Sequence, residues 1–337
     1  MATEWHPDYG FVLGWAAETA TPGGTCPWVT TPTHATPPTA VSIGGAAAPT
    51  IWLAGLQDSV RRNDTDVPYD HAQNAADLGP RVAMQGYPAG SLSCYLAPSG
   101  AFTGALAALL AWAFGPYPPT TVRGSASIFG YGDALLAHKV SGLVTTRSSL
   151  SWKCENGPGG HARLAVDVVG YNEFADGSMT AVPGTPVRPG YAGEAPLNYQ
   201  AMALTWGSTP VTLDVTGVEF AVEWGIPVDQ LVRGGQPYLA DPRRFVARSA
   251  TLTVDFVPGD VLTAANVHSL RGSSAAWTLR IGSGTGNGVQ VAMARVEVPG
   301  QLPGYDGRSG RLLPFQMVGN CVAGGHGLTN AFQVSAT

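Results

Sequence analysis

The sequence has few charged residues and no cluster of basic ones. Of 337 residues only 12% are charged, with 18 Lys and Arg against 23 Asp and Glu, for a net charge of −5. In a typical globular chain about a quarter of the residues are charged. Gripping a nucleic acid backbone needs clustered Lys and Arg, so that class of protein is disfavoured. A surface so poor in charge suits a protein that buries much of itself against partners.

The chain also lacks paired cysteines, a secretory signal and a membrane-length apolar run. Its four cysteines, Cys26, Cys94, Cys154 and Cys321, are far apart and show no metal-ligand spacing. Buried free thiols are therefore expected rather than disulfides. The N-terminal MATEWHPDYG has no basic region followed by an apolar run, and the apolar window 101–114 is too short to span a bilayer. We expect a protein made and kept in a cytoplasm, with no membrane partner.

Motifs for catalysis are missing as well. The seven histidines do not pair at metal or triad spacing, and neither a GxSxG nor an HExxH motif occurs. The glycine-rich run 282–288 precedes a predicted strand, whereas a phosphate loop precedes a helix, so a hairpin turn is expected there. The sequence predicts no catalytic residue, no cofactor, no metal site and no enzymatic activity.

What the chain does contain is the composition of a mainly β protein. It has 44 Gly and 27 Pro, with frequent Thr, Ser and Val, which is typical of many short strands and turns. One window, 90–115, stands out. Leu92, Cys94 and Leu96 alternate as in a strand, a Pro-Ser-Gly break follows, and apolar residues at helical spacing then predict a helix that stops at Gly115.

The same pattern returns in residues 249–272. One offset of 160 (252 − 92) aligns Leu92, Cys94, Leu96 and Pro98 with Leu252, Val254, Phe256 and Pro258. A helix-like segment then runs from Asp260 to Leu270. The sequence therefore predicts an internal duplication. The predicted limits are an N-terminal arm (1–40), a first β domain (41–172), a Gly/Pro-rich linker (173–197), and a second β domain with a C-terminal tail (198–337).

Two polar segments without periodicity, 57–80 and 226–244, precede the two strand–helix windows. They are read either as flexible surface loops or as docking loops that order on a neighbouring subunit.

The chain resembles the tail tube proteins of long-tailed bacteriophages, in the variant whose tube domain is duplicated within one chain. The resemblance covers nearly the whole sequence. It rests on FVLGWAAETATPGGTCPWVT, on the pair SLSCYLAPSGAFTGALAALLAWAFG and SATLTVDFVPGDVLTAANVHSLRG, on VTTRSSLSWKCENGPGGHARLAVDVVGYNE, and on VEVPGQLPGYDGRSGRLLPFQMVG. The linker 173–197 and a weaker second helix with His268 depart from the family pattern.

The resemblance implies a fold and an assembly. Each half would be a small β-sandwich or barrel with one flanking helix, and its sheet would join neighbours into a barrel around a channel. Three chains would form a pseudo-hexameric ring, and stacked rings would form the tube through which viral DNA is ejected. The protein would be located in the virion tail and assembled in the cytoplasm of the bacterial host. Its partners would be itself, a tape measure protein, and tail terminator or baseplate proteins, and DNA would pass without specific binding.

Two sets of residues are candidates for these roles. The long loops would connect successive rings through Arg61, Arg62, Asp64, Asp66, Asp70, Gln230, Arg233 and Asp241. A conduit for DNA should not bind it, so its lumen is expected to be neutral or acidic. The acidic candidates for that lumen are Asp167, Glu219, Glu223 and Asp255.

Other functions remain open at this point. One is a two-domain β-sandwich that binds carbohydrate or a cell surface, for which the nine Trp could supply aromatic contacts, although Trp152 and Trp224 fall on the apolar phase of their strands. Another is a different component of a virion tail or baseplate. A β-rich hydrolase is disfavoured by the missing motifs.

Overall fold

The structure is a computed structural model that describes seventeen stretches of the chain. They are 11–18, 49–53, 55–62, 65–68, 81–84, 86–96, 105–115, 123–132, 135–153, 160–174, 202–231, 241–244, 247–257, 274–282, 288–298, 313–322 and 331–336. These residues are mainly in antiparallel strands, with little helix, which confirms the predicted mainly β class.

Nineteen strands are present in the described residues. In the first half they are β1 Phe11–Ala17, β2 Ile51–Leu53, β3 Gly55–Asp58, β4 Arg61–Arg62, β5 Thr65–Pro68, β6 Arg81–Met84, β7 Pro88–Tyr95, β8 Ala126–Gly132, β9 Leu135–Lys153, β10 Arg163–Val169 and β11 Asn172–Phe174. In the second half they are β12 Met202–Trp206, β13 Thr209–Pro210, β14 Val215–Trp224, β15 Arg248–Phe256, β16 Ser274–Gly282, β17 Gly288–Glu297, β18 Phe315–Cys321 and β19 Phe332–Ala336.

The predicted first helix is confirmed as α1, Ala105–Phe114. Its Leu106, Leu109 and Leu110 side chains are buried in the core. It ends at Gly115, whose φ of +89° is the left-handed conformation that favours glycine after a helix. A short helix, α2, spans Val228–Leu231, and 3-10 turns span 212–214 and 242–244. The predicted second helix, 260–270, lies outside the described residues.

The strands of the first half form two branches that share β9. One branch has the order β2–β1–β8–β9–β11, and the other has β3 and β4 in line beside β7, followed by β10 and β9. Because β9 is 19 residues long, its first part belongs to one branch and its second part to the other. One contiguous core joins buried residues of both branches and of α1.

The second half repeats the strand order of both branches, with β14 in the place of β3 and β4. Its branches have the orders β13–β12–β16–β17–β19 and β14–β15–β18–β17. The first hairpin of each second branch even has the same irregularity, a register shift between Gly55 and Gln57 in one half and between Val215 and Gly217 in the other. A β-bulge at equivalent positions is a conserved structural feature of related folds, so the pairing supports the predicted duplication.

The pairing also corrects the alignment of the two halves. Cys94 pairs with Gly55 and Phe256 pairs with Val215, so Cys94 corresponds to Phe256, at an offset of 162 (256 − 94). The sequence predicted 160, which aligned Cys94 with Val254. A shift of two residues preserves which side chains face inward, and for this reason the alternation alone could not exclude it.

The two halves are joined by direct strand pairing. β14 of the second half pairs with β9 of the first half from Gly217↔Lys153 to Glu223↔Arg147, so the sheet continues across the sequence boundary between the halves. β1, which lies within the predicted arm 1–40, is a sheet strand between β2 and β8. The domain limits themselves stay a prediction.

The sequence predicted an aperiodic loop at 57–80, but the described part of this segment forms strands. β4 pairs with β7, and β5 pairs with β6 from Thr65↔Met84 to Pro68↔Arg81, so β3 to β7 make one long interrupted hairpin. Backbone hydrogen bonds rather than apolar alternation define these strands, which is why the polar sequence concealed them.

Candidate assembly and channel surfaces

Six neighbouring strands, β7–β10–β9–β14–β15–β18, form a continuous sheet with one side on the core. Leu92, Leu164, Leu150, Phe220 and Leu252 lie on that side and are buried. The alternate residues project to the opposite side, which we call the polar face.

Residues directly opposite each other in register share a side of a sheet, so the pairing gives the rows of the polar face. In strand order the rows are Ser91–Asp167–Arg147–Glu223–Ser249, Ser93–Ala165–Ser149–Ala221–Thr251–Asn320, Tyr95–Arg163–Ser151–Glu219–Thr253–Val318, and Lys153–Gly217–Asp255–Gln316. All four predicted lumen residues therefore lie on this one face. Its only aromatic side chain in these rows is Tyr95, which packs edge-on against His161 at one end.

The first of these rows contains an arginine with acids opposite it on both neighbouring strands, the Arg147 cluster, made of Arg147, Asp167, Glu219 and Glu223. Arg147 Nη2 lies 3.9 Å from Glu219 Oε1, and its Nε lies 3.8 Å from Glu223 Oε1. Asp167 is directly opposite Arg147 in register and accepts a hydrogen bond from Ser91 Oγ at 2.6 Å.

The fourth predicted acid, Asp255, occupies space left by a glycine. A Cβ on Gly217 would lie 2.6 Å from Asp255 Oδ2, so the carboxylate leans over Gly217. Gly217 separates Asp255 from Lys153 in the row, and Gln316 Nε2 donates to Asp255 Oδ1 at 2.7 Å. The four rows hold four carboxylates and three cations, Arg147, Lys153 and Arg163, for a net charge of −1 (3 − 4). The face is nearly neutral rather than strongly acidic.

The predicted inter-ring residues are in different settings. Arg61 is exposed on β4, with Nη1 3.3 Å from Asp58 Oδ2. Arg62 and Asp66 belong to β4 and β5, and Gln230 is exposed on α2. Asp64, Asp70 and Arg233 lie outside the described residues. Asp241 binds the buried Arg243 within its own chain, with an N–O distance of 2.9 Å.

The described part of segment 226–244 rests on the first half of the same chain. Leu231 of α2 is buried against Val169, and Ile226 and Val228 pack beside them with Tyr87 and Ala89. The backbone N–H of Arg123 donates to the Arg243 carbonyl. These contacts place α2 on the first half, whereas its inter-ring role stays a prediction.

Behind the polar face, the two halves meet in a cluster that the sequence did not indicate. Phe220 lies between Phe114 of α1 and Phe332 of β19, with ring centroids 5.8 and 5.0 Å away. Arg123 stacks 3.5 Å from the centroid of the Trp224 ring and donates to the Thr145 carbonyl and hydroxyl. These residues are far apart in sequence, so no local pattern could have identified them.

Burial disfavours the charged form of both arginines in this cluster and lowers their pKa values. Burial first, and the nearby Arg248 second, lower the pKa of Arg123 to about 9. Burial also lowers the pKa of Arg248, whose Nη1 donates to the Phe114 carbonyl at 2.8 Å. A cation at the C-terminal carbonyls of α1 is favourable for the helix dipole, which offsets part of the cost of burial. Arg248 thus joins the second half to the end of α1, and Arg123 joins the first half to Trp224 of the second.

A buried carboxylate holds the end of β1. Glu18 is 7% exposed and accepts hydrogen bonds from Ser125 Oγ, Ser127 Oγ and the Gly142 backbone N–H, at 2.6, 2.7 and 2.9 Å. Burial raises the pKa of Glu18 above its usual value, although the hydrogen bonds act in the opposite direction. Its partners are in β8, in β9 and in the residue just before β8, so Glu18 holds the end of β1 against these two strands.

The described ranges contain neither a candidate metal site nor a helix that could span a membrane. No three His, Cys, Asp or Glu side chains lie together as a metal site requires, and neither described helix is long and apolar enough to cross a bilayer. The sequence matches no protein-family model, and no curated protein matches it significantly.

Proposed function

We propose that this chain is a structural protein that polymerises through its sheet edges into closed rings, which stack into the tail tube of a long-tailed bacteriophage. The observation that supports this best is the junction between β9 and β14. There the second half of the chain extends the sheet of the first half through strand pairing.

The chain has an edge at which the same junction can recur. β3 and β4 are the first-half counterparts of β14, and among the described strands they pair on one side only, with β7. An unpaired edge is a template for another strand. A contact between different surfaces that repeats with a rotation forms a ring, and three chains of two units each would give the pseudo-hexamer that the resemblance implies.

The composition of the polar face supports its assignment to the channel wall. Fourteen of the 21 residues in its rows are uncharged, ten of them Ser, Thr, Ala or Gly, and the net charge is −1. Such a face offers few aromatic platforms and little net positive charge to retain DNA. The virion tail as location, and the tape measure, terminator and baseplate proteins as partners, belong to the same proposal and rest on the resemblance.

Electron microscopy of the purified full-length protein tests the proposal. We expect rings or tubes of uniform diameter in negative stain. Only dispersed monomers at high concentration would contradict it.

A pair of proline variants tests the edge itself. Ser59 N–H donates to Ser91 of β7, so by alternation the N–H of Arg61 also faces β7 while that of Arg62 faces the open side. Arg62→Pro should leave a folded chain that no longer assembles, since proline is tolerated at edges but cannot donate. Arg61→Pro should destabilise the fold by removing a hydrogen bond to β7. Tubes formed normally by Arg62→Pro would exclude this edge.

A further inference from the structure

The polar face carries a positive charge on one of its middle strands, on the surface that the proposed function turns towards DNA. Arg147 lies on β9, a middle strand of the six, and its side chain is 51% exposed. An exposed guanidinium is a strong bidentate ligand for phosphate. A ring of several chains would present this guanidinium several times. Without neighbouring acids, these guanidinium groups would bind the phosphates of the DNA that passes through the ring.

We propose that the acidic members of the Arg147 cluster screen this guanidinium from nucleic acid, and that the screening keeps the polar face from adhering to DNA. The inference rests on the proposed function, because it assumes that DNA passes this face. Carboxylates lie on both neighbouring strands: Asp167 is opposite Arg147 on β10, and Glu223 is opposite it on β14. Glu219, on the same side of β14, approaches the guanidinium from a second direction.

The geometry favours a screening role over a stabilising one. The two ion pairs are long, 3.8 and 3.9 Å, and the Glu223 side chain is 66% exposed. Exposed pairs of this kind contribute little to folding stability. Their carboxylates nevertheless lie 3.8 and 3.9 Å from guanidinium nitrogens of Arg147, close enough to reduce its local positive potential.

The test is the binding of a short fluorescent DNA duplex to the full-length chain, followed by anisotropy at salt concentrations from about 50 to about 200 mM. The variant Glu219→Gln/Glu223→Gln should bind the duplex more tightly than the wild type. Each newly available cation should make the slope of log affinity against log salt steeper by about one. Adding Arg147→Gln to this variant should remove the gain.

A matched control separates screening from net charge. Asp229 is exposed on α2 and Glu173 lies on β11, both outside the four rows of the polar face, so Asp229→Asn/Glu173→Gln changes the net charge equally. An equal gain in this control would overturn the proposal, as would no gain in Glu219→Gln/Glu223→Gln. If that double variant fails to fold, the single variant at the exposed Glu223 gives the same comparison.

Imaging of the same variants keeps the two proposals apart. If the Glu219→Gln/Glu223→Gln protein forms tubes but gains no DNA binding, screening is wrong and the tube function stands. If the wild-type protein forms no tubes, the function itself is wrong.

Discussion

At the residue scale, Glu18 is a buried carboxylate whose hydrogen bonds connect neighbouring strands. Three donors hold its carboxylate, and Lys139 lies near enough to favour the charged form. Burial outweighs these effects and raises the pKa of Glu18, while it lowers the pKa of Lys139. The carboxylate therefore costs stability when ionised, yet it connects β1 to β8 and β9.

The variant Glu18→Gln should make this cost visible as a pH dependence. Because the folded-state pKa is raised above the ordinary 4.5, the stability linked to Glu18 is fully present below pH 4.5 and is lost as the pH rises through the folded-state pKa. Glutamine stays neutral and can still accept from Gly142 and Ser127. We expect the free energy of unfolding of Glu18→Gln to rise relative to wild type between pH 4.5 and neutrality, measured by urea denaturation.

The same substitution at Glu297, an exposed residue paired with Arg295 at 2.8 Å, controls for the loss of a carboxylate elsewhere. A stability difference for Glu18→Gln that is constant across this pH range would contradict the role of burial.

At the element scale, Gly115 ends α1 and also leaves space for Arg248 and Trp224 of the second half. A Cβ on Gly115 would lie 2.9 Å from Arg248 Nη1 and 2.9 Å from the Trp224 ring, and the φ of +89° is strained for any other residue. Gly124 offers the matched case nearby, since a Cβ there would meet nothing within 4 Å.

We therefore expect opposite outcomes for two alanine variants. Gly115→Ala should destabilise the protein by about 1–2 kcal/mol from backbone strain alone, and by more if Arg248 must move. Gly124→Ala should be neutral or stabilising by up to about 1 kcal/mol, because it restricts the unfolded chain. Denaturant midpoints of the two variants measure the difference. Equal effects would show that the left-handed cap does not matter.

The same element shows what sequence reasoning can reach. The apolar spacing of α1 and its Gly-Pro stop are local, and they predicted the helix to its last residue. The alternation of β7 and β15 is also local, but it has period two, so it predicted the inward faces and left the offset between the halves wrong by two residues. β4 and β5 are defined by their pairing with partner strands. Their polar sequences give no local signal from which that pairing could be predicted.

The candidate site divides in the same way. Strand alternation placed Asp167, Glu219, Glu223 and Asp255 on outward positions, and the structure brings them to one face. The sequence could not show that Arg147 lies among three of them, since that neighbourhood depends on the pairing of β9 with β10 and β14. Charge counts along a chain do not give charge contacts across a sheet.

At the scale of the whole molecule, the two halves are held together by structure rather than by the chain that links them. The junction has strand pairing between β9 and β14, the ring contacts of Phe220 with Phe114 and Phe332, the hydrogen bond from Arg248 to the Phe114 carbonyl, and the stacking of Arg123 on Trp224. Aromatic side chains buried in this way are each worth several kcal/mol by truncation, about 3–5 for Phe to Ala. Such an interface does not depend on a covalent tether.

Cutting the predicted linker tests this directly. A site for a specific protease, inserted between residues 180 and 190, should be cleaved to give two fragments that still co-elute as one species in size-exclusion chromatography. They should also unfold in a single thermal transition, because each half completes the sheet and core of the other. The uncleaved protein with the same insertion is the control. Fragments that elute separately would show that the β9–β14 junction is weak, and a junction that cannot hold two halves of one chain could not be expected to close a ring of three.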